Sequence, residues 1–277
     1  MSLLRADYAA ACAEWGERVR ADGAQVNRVR EVADGDFYGP IAQAFKADPR
    51  RTNEPVLNEL LKLVRHDETW LDIGAGGGRY TLPIALAAKQ VTAVEPSDGM
   101  IGVLREGLDE HGISNVRVVQ SRWPNAEVAV RADCSLISMV GNDVAEIGPF
   151  LDAMEAATER LCVLVNLDRP PPSAFFPAFK HVHGEERAAL PSIPEFLALL
   201  LAKRRLFEVQ LVPRQPMSFE SPDQVIAMAR RQTWVKEGGA KDVRLQAFIR
   251  ESLVEQDGRF ALSFDAGHIA IVTWAPR

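Results

Sequence analysis

The stretch that most constrains the fold is residues 69–80, which read T-W-L-D-I-G-A-G-G-G-R-Y. A short apolar run ends in an acid, breaks into glycines and then resumes as a segment compatible with a helix. The pattern predicts a buried strand, a tight turn and a helix start, because glycine adopts positive φ readily and lets a ligand lie against the main chain. In an open α/β sheet, a nucleotide-like ligand binds at such a turn, outside the carboxyl end of the strand.

The spacing of the glycines indicates which ligand the turn suits. A dinucleotide fingerprint reads G-x-G-x-x-G/A, and counting from Gly74 gives Gly76 but then Arg79, where a third small residue belongs. Counted as D-x-G-x-G-x-G, the residues Asp72, Gly74, Gly76 and Gly78 all match. The stretch resembles motif I of the class I S-adenosylmethionine-dependent methyltransferases. The resemblance implies that the acid interacts with the amino-acid part of S-adenosylmethionine and that the glycine loop passes beneath its ribose.

A second mark lies at residues 90–96, Q-V-T-A-V-E-P, which predict a buried strand ending in an acid. Glu95 falls about 20 residues after the first glycine, where an acid accepts hydrogen bonds from both ribose hydroxyls. NAD and S-adenosylmethionine both carry a ribose, so the discrimination rests on Asp72 and Arg79. Two alternatives stay open. One is a nicotinamide-dependent oxidoreductase on a Rossmann-like fold, against which Arg79 argues; the other is a non-catalytic cofactor-binding protein, which the intact motif disfavours.

The rest of the chain fits the same fold class. Amphipathic segments that predict helices alternate with apolar runs that predict strands near residues 69–73, 90–95, 116–120, 133–140, 161–167 and 207–212. Two last strands are predicted at 260–264 and 268–274, joined by a hairpin turn at 265–267. The resemblance covers residues 52–167, 207–212 and the final strand. It implies an α/β, Rossmann-like, doubly wound sheet of seven strands, whose last strand is antiparallel and lies beside the sixth.

The remaining segments are additions to that core. Residues 1–50 are predicted to form a helical N-terminal lid, with an amphipathic helix over residues 2–21. Residues 51–277 are predicted to form the methyltransferase domain, with cap insertions near 168–205 and 214–258; the proline-rich residues 169–177 are predicted to be an extended loop. We expect the additions to gather over the carboxyl edge of the sheet. A capped pocket favours a small or medium-sized acceptor.

The resemblance also implies a set of cofactor-binding residues. Members of this class usually carry an acid just after the third strand, whereas this chain reads S-R-W-P at residues 121–124. Trp123 can stack on the adenine in place of that acid. Met100 can pack on the base, although a helical methionine is more often part of the core. The predicted set is Asp72, Gly74, Ala75, Gly76, Gly78, Glu95, Pro96, Ser97, Met100, Trp123 and Val140.

No motif identifies a catalytic residue. The expected reaction is in-line displacement of the sulfonium methyl by an acceptor oxygen, nitrogen or carbon, and a general base is required only where the acceptor keeps its proton at neutral pH. Candidate bases are Tyr38, Asp143, His181 and His183. After the fourth strand the chain reads G-N-D-V and lacks the N-P-P-Y/F-type sequence of amino-directed DNA and RNA methyltransferases. The two histidines share a face if extended, but no third ligand is evident, so no metal is predicted.

Composition narrows the expected partners. The 277 residues include 32 basic and 38 acidic side chains, a formal charge of −6, which disfavours a nucleic-acid polyanion. We therefore expect a small-molecule acceptor and no nucleic acid. No apolar stretch approaches the ~18 residues that span a membrane, so no membrane partner is expected. Three scattered cysteines, Cys12, Cys134 and Cys162, fit a reducing cytoplasm. The oligomeric state, monomer or homodimer, stays open.

Overall fold

A computed structural model describes residues 7–32, 39–125, 129–214, 217–263 and 267–276. The helices in these ranges are α1 (Tyr8–Val29), α2 (Pro55–Leu61), α3 (Thr81–Ala87), α4 (Asp98–His111), α5 (Ile147–Ala156), α6 (Phe176–His183), α7 (Ile193–Ala202), α8 (Pro222–Thr233) and α9 (Ala240–Ser252). Two 3-10 helices span Gly39–Phe45 and Ser173–Phe175. The strands are β1 (Thr69–Ile73), β2 (Gln90–Glu95), β3 (Val116–Gln120), β4 (Ala132–Ser138), β5 (Thr158–Leu167), β6 (Phe207–Pro213), β7 (Leu253–Gln256), β8 (Arg259–Leu262) and β9 (His268–Trp274).

Seven strands form one sheet in the order β3-β2-β1-β4-β5-β9-β6. Strands β1 to β5 pair in parallel, and β9 runs antiparallel between β5 and β6. The strand order reverses between β1 and β4, which is the switch point where such sheets bind ligands. The predicted α/β, Rossmann-like, doubly wound sheet of seven strands with its last strand antiparallel is confirmed.

Two hydrophobic cores cover the two faces of this sheet. Successive residues of a strand point to opposite faces, and accordingly Cys162 and Leu164 join one core while Val163 and Val165 join the other. The first core is completed by residues of α1, α5 and α7 and the second by residues of α2, α3 and α4, among them Trp15, Phe150, Phe196, Leu57, Ile84 and Leu104. Because helices cover both faces, the central strands are apolar almost throughout.

Helix α1 lies against the segment that follows β4 and against α7. The Trp15 indole N–H donates to the Val144 carbonyl at 3.0 Å, and the Arg18 guanidinium donates to Glu195 at 2.8 Å. The helix continues to Val29, past the predicted end at residue 21, while residues 2–6 of the predicted range lie outside the described residues. The division into a lid over residues 1–50 and a methyltransferase domain over residues 51–277 stays a prediction.

The segments predicted as cap insertions enclose a third core. Helices α6, α8 and α9 and strand β8 contribute its buried residues, including Val182, Val225, Leu245 and Leu262. The prediction that residues 169–177 are an extended loop is wrong at its end, where a 3-10 turn leads directly into α6. Pro177 lies in the first turn of that helix, where the missing N–H of proline has no helical partner to lose.

The last hairpin also differs from its prediction, although residues 264–266 of the predicted strand and turn lie outside the described residues. Strand β8 pairs with β7 and not with β9. Asp257 and Gly258 join β7 to β8 with φ angles of 53° and 72°, and positive φ at both central residues is what a two-residue type I′ hairpin turn requires. Strand β9 is bonded on one side to β5 and on the other to β6. It therefore has no free edge for β8.

Candidate active site

A cavity of about 1370 Å³ opens at the carboxyl ends of β1, β2 and β4. The glycine loop between β1 and α3 lines it, and Phe45 and Ala47 line it from the segment before α2. This is the sheet edge at which the sequence predicts a cofactor. The cavity exceeds the ~300–1,000 Å³ of a typical small-molecule pocket, so it has room for more than one ligand.

The structure brings most of the predicted cofactor residues together. Gly78 packs beneath the loop and does not line the cavity, whereas the other ten residues do: Asp72, Gly74, Ala75, Gly76, Glu95, Pro96, Ser97, Met100, Trp123 and Val140. Of the candidate bases, Asp143 lines the cavity, while His181 and His183 lie on α6. Tyr38 lies outside the described residues. The function assigned to each of these residues stays a prediction.

Two glycines of the loop are required by their surroundings. Gly74 has a φ of 75°, and a Cβ there would lie 2.5 Å from Val140 Cγ2. Gly78 has a φ of 86°, and a Cβ there would lie 2.6 Å from Leu104 Cδ1. Any other residue would combine left-handed backbone strain with a steric clash. The loop therefore keeps its shape by packing against the end of β4 and against α4.

The amide groups of the loop are largely used within the protein. Four of them donate hydrogen bonds of 2.8–3.2 Å to the Val94 carbonyl, the Ala75 carbonyl or the Glu95 carboxylate; they belong to Gly74, Ala75, Gly76 and Gly78. A loop that cradles a pyrophosphate offers such N–H groups to the ligand. This loop uses four of its N–H groups within the protein, so it offers fewer of them to a pyrophosphate.

Two buried carboxylates, those of Asp72 and Glu95, line the cavity beside the glycine loop. Asp72 is 3% exposed and accepts a hydrogen bond from the Thr81 hydroxyl, with 2.5 Å between Oδ2 and Oγ1. Burial raises the pKa of Asp72 to about 7; the Thr81 bond works against this rise and the nearby Glu95 charge adds to it. A carboxyl group held at such a pKa is strongly stabilised by an arriving cation.

Glu95 is held in one orientation by two backbone amides. Its Oε2 accepts from Gly76 N–H at 2.9 Å, and its Oε1 accepts from Ser97 N–H at 2.8 Å. The residue is 7% exposed and lines the cavity. A carboxylate fixed in this way can accept further hydrogen bonds from a diol at its outward lone pairs.

Comparisons with known proteins agree with this geometry. A family model described as a methyltransferase domain matches residues 71–158. The YcgJ protein of Bacillus subtilis is similar in fold, with a TM-score of 0.56 at 16% identity over 79% of this chain and 97% of that one. The chain carries a class I methyltransferase domain. S-adenosylmethionine is the cofactor of this class, and the nicotinamide alternative is set aside.

Two curated relatives share sequence with part of this chain. A tRNA/tmRNA (uracil-C(5))-methyltransferase of Pseudomonas entomophila is 41% identical over 92 residues, which cover 32% of this chain and 26% of the relative. The 23S rRNA (uracil(1939)-C(5))-methyltransferase RlmD of Alteromonas mediterranea is 27% identical over 134 residues, 48% of this chain and 27% of the relative. The chain thus spans about a quarter of the length of these relatives.

The partner prediction is corrected by these relatives. We expected a small-molecule acceptor and no nucleic acid, on the ground of net negative charge. That expectation is wrong, because the relatives of this chain include proteins named for acting on tRNA and rRNA. Formal charge summed over the chain takes no account of where the charges lie. Within the described ranges, no helix has the length and apolar character needed to span a membrane.

The residues of the methyltransferase domain fit its cofactor. A Cβ on Gly76 would meet Met100 Sδ at 3.9 Å and no nearer atom outside its chain neighbours, so this glycine leaves room for a ligand on the cavity side of the loop. Asp72 would hold the ammonium of the amino-acid end, and Glu95 would hold the ribose hydroxyls. The site is rich in carboxylate acceptors, and four amides of the glycine loop are already bonded within the protein. Such a site suits a cationic ligand without phosphate.

The end of the cavity that is predicted to hold the adenine differs from the usual pattern of the class. Ser121, Arg122 and Trp123 line it after β3, and the Trp123 indole N–H donates to the Phe150 carbonyl at 3.3 Å. The sequence analysis missed Asp98, which lines the cavity at the start of α4 and accepts from the Gln120 amide at 2.6 Å. Stacking of Trp123 on the adenine stays a prediction.

The histidines of α6 do not form a ligand pair. Residues at i and i+2 diverge on a helix, and the His181 ring stacks on Phe248 with centroids 4.7 Å apart. His183 Nε2 lies 2.8 Å from the Thr233 carbonyl, and burial lowers the pKa of His183 despite that contact. Among the described residues, no group of three or more His, Cys, Asp or Glu side chains is arranged to hold a metal ion.

The opposite end of the cavity was missed by the sequence analysis. Arg214 follows β6 and Ile269 lies near the start of β9, and both line the cavity because these strand ends meet at the same edge. Met139, just after β4, is 43% exposed and has a φ of 55°. Strand order could have indicated Arg214 and Ile269. Nothing in the sequence signals the backbone conformation of Met139.

Proposed function

We propose that the protein transfers a methyl group from S-adenosylmethionine to an acceptor group of nucleobase size. The observation that carries this proposal is the continuity of the cavity. It joins the buried acids Asp72 and Glu95 to a second region lined by Met139, Pro213 and Ile269. A methyl donor at the first region and an acceptor at the second would meet next to the end of β4.

The protein's contribution to this reaction is mainly positioning. When bound, S-adenosylmethionine supplies a methyl group on a positively charged sulfonium. Asp72 and Glu95 would fix the two ends of that molecule, and Val140 would support the loop between them through its contact with Gly74. Holding two reactants in line accounts for ~7–11 kcal/mol of barrier lowering in well-oriented systems.

Asp143 is the candidate general base that the geometry favours. It follows β4, is exposed and lines the cavity. A carboxylate there can take a proton from an acceptor hydroxyl or amine as the methyl bond forms. The Asp143→Asn variant would then lose methyl-transfer activity while its cofactor affinity stays unchanged. If the acceptor has no proton to lose, the activity of the variant would equal that of the wild type.

RNA is the acceptor class to test first. The two curated relatives are named for acting on tRNA and rRNA, and enzymes that modify a base swing it out of its stack into a pocket. Arg122 and Arg214 line the cavity and are suited to phosphate. Since the similarity to these relatives covers about a quarter of their length, the acceptor is part of the proposal.

The experiment measures transfer of tritium from methyl-labelled S-adenosylmethionine. Purified tRNA and rRNA, transcripts without modifications and a small-molecule extract are offered in parallel, and nuclease digestion identifies label held in RNA. We expect label in RNA, abolished by Glu95→Ala. Label confined to the extract would overturn the RNA acceptor but keep methyl transfer. Absence of cofactor binding would overturn both, and tight binding without transfer to any acceptor would favour a non-catalytic role.

A further inference from the structure

A cluster that contains two arginines borders the glycine loop, where Arg51 donates to the Arg79 carbonyl. The Glu54 carboxylate accepts from Arg51 Nε at 2.6 Å, from Arg79 at 2.9 Å and from the Tyr80 hydroxyl at 2.8 Å. All four of these residues line the cavity. Two guanidinium groups face one carboxylate, so the cluster carries a net positive charge beside a loop that otherwise presents acids.

The two arginines have different surroundings. The Arg51 side chain is 11% exposed, and its three nitrogens donate to Glu54, to the Asp48 carbonyl and to the Arg79 carbonyl. The Arg79 side chain is 49% exposed and leans over the Tyr80 ring, with 5.9 Å between Cζ and the ring centroid. Arg51 therefore holds the loop in place, while Arg79 presents its guanidinium to the cavity.

A ligand that places an ammonium on Asp72 brings a carboxylate with it. In an amino acid both groups are bonded to one carbon, so the carboxylate needs a partner close to Asp72. Four loop amides are unsuitable because they donate within the protein. Arg79 is two residues before Thr81, whose hydroxyl bonds Asp72. Arg122 lies at the adenine end and Arg214 beyond β6.

We propose that Arg79 binds the carboxylate of the cofactor's amino-acid end and thereby makes this site selective for a cofactor that carries one. The inference rests on the proposed function, which supplies the ligand. Glu54 is a positioning residue in this scheme, because it holds the Arg79 guanidinium through a pair of contacts at 3.3 and 2.9 Å. Although burial opposes it, hydrogen bonding by Arg51 and the charge of Arg79 keep the pKa of Glu54 below its usual value. Glu54 is therefore ionised at neutral pH.

The test compares ligands that differ at the carboxylate. Isothermal titration calorimetry measures binding of S-adenosylhomocysteine, S-adenosylmethionine and decarboxylated S-adenosylmethionine, which keeps the sulfonium and the ammonium. The wild-type protein should bind the decarboxylated compound about 10–100-fold more weakly than S-adenosylmethionine, the range for losing a charge-assisted hydrogen bond. Arg79→Gln should weaken S-adenosylmethionine and S-adenosylhomocysteine by a similar factor and change the decarboxylated compound less than about twofold. Arg79→Lys, which keeps the charge but not the fork, should recover part of the loss.

A matched control comes from the opposite edge of the sheet. The Arg65 side chain is 63% exposed and pairs with Glu68 at 3.2 Å, and Arg65→Gln should leave all three affinities unchanged. Equal weakening of all three ligands by Arg79→Gln would overturn the proposal, as would equal wild-type affinity for S-adenosylmethionine and its decarboxylated form. The wild-type comparison needs no variant to fold. A wild-type protein that binds none of the ligands would instead refute the proposed function.

Discussion

Replacing Asp72 by asparagine should stabilise the ligand-free protein while it weakens cofactor binding. Asparagine keeps an oxygen that accepts from the Thr81 hydroxyl, which now donates to Asp72. It removes a negative charge that is 3% exposed and has Glu95 as a charged neighbour. The empty site therefore contains an ionisable group whose charged form is costly until a cation arrives.

The size of the effect follows from the pKa of Asp72. Its pKa rises from 3.8 to about 7, and each unit corresponds to 1.36 kcal/mol, so the shift is worth roughly 4 kcal/mol. The folded protein holds this proton more tightly than the unfolded chain. The contribution of Asp72 to stability is therefore most favourable below about pH 4 and is lost as the pH rises to about 7. The asparagine variant has no such loss.

The assay is urea denaturation of both proteins from pH 5 to pH 8, without ligand. Between pH 5 and pH 8 the difference in the free energy of unfolding, variant minus wild type, should increase by roughly 2.5 kcal/mol and level off above pH 7, since the rest of the effect lies below pH 5. Subtracting the two proteins cancels the other acids, such as Glu54 and Asp242, whose lowered pKa values destabilise both at low pH. A difference that stays constant across this range would refute the reasoning.

Cofactor binding provides the second half of the same prediction. A cationic ammonium on Asp72 requires the ionised carboxyl, so wild-type affinity for S-adenosylhomocysteine should fall about tenfold per pH unit once the pH drops below the pKa of about 7. In the asparagine variant the affinity should be lower and should lose most of this slope. Equal pH dependence in both proteins would assign the titration to a different group.

Further predictions concern other parts of the site and α1. Glu95→Ala removes the acceptor of the Gly76 and Ser97 amides and should cost ~1–3 kcal/mol in urea denaturation along with cofactor affinity; unchanged stability would contradict that role. Gly76→Ala places a Cβ at a loop position with a φ of 54°, and calorimetry should show cofactor affinity lost while the protein stays folded. Arg187→Met leaves the Asp22 carboxylate, 3.0 Å away and 12% exposed, without its buried partner, and should cost ~3–5 kcal/mol at pH 7. Because burial raises the pKa of Asp22, that cost should shrink at pH 5.

The glycine loop and its two acids were predictable because their sequence signals are local. The strand, the glycines and the acid Asp72 lie within ten residues, and Glu95 follows at the end of the next strand. Positive φ at Gly74 and Gly78 is a demand of the backbone, which sequence records directly as glycine. The seven-stranded sheet and its antiparallel last strand followed from the family resemblance together with the apolar runs.

The features that were missed depend on contacts between distant segments. Glu54 and Arg79 are 25 residues apart, and a bond between them has no periodic signature. The hairpin assignment failed for a related reason. Two turn signals compete, Asp257-Gly258 and residues 265–267, and local sequence does not reveal that β9 is bonded on both sides by β5 and β6. Net charge failed as a guide to the acceptor because a sum over the chain does not locate charges at the cavity.

The arrangement of donors and acceptors explains why one glycine loop suits S-adenosylmethionine and another suits a dinucleotide. Here the loop amides point inward, to the Val94 carbonyl and the Glu95 carboxylate, so the face presented to a ligand is dominated by acceptors. A pyrophosphate would meet the carboxylates of Asp72 and Glu95, and like-charge repulsion there would disfavour it. A sulfonium with an ammonium is favoured by the same face. A cofactor with this charge pattern still carries one anionic group, and Arg79 is the cation on the loop that can receive it.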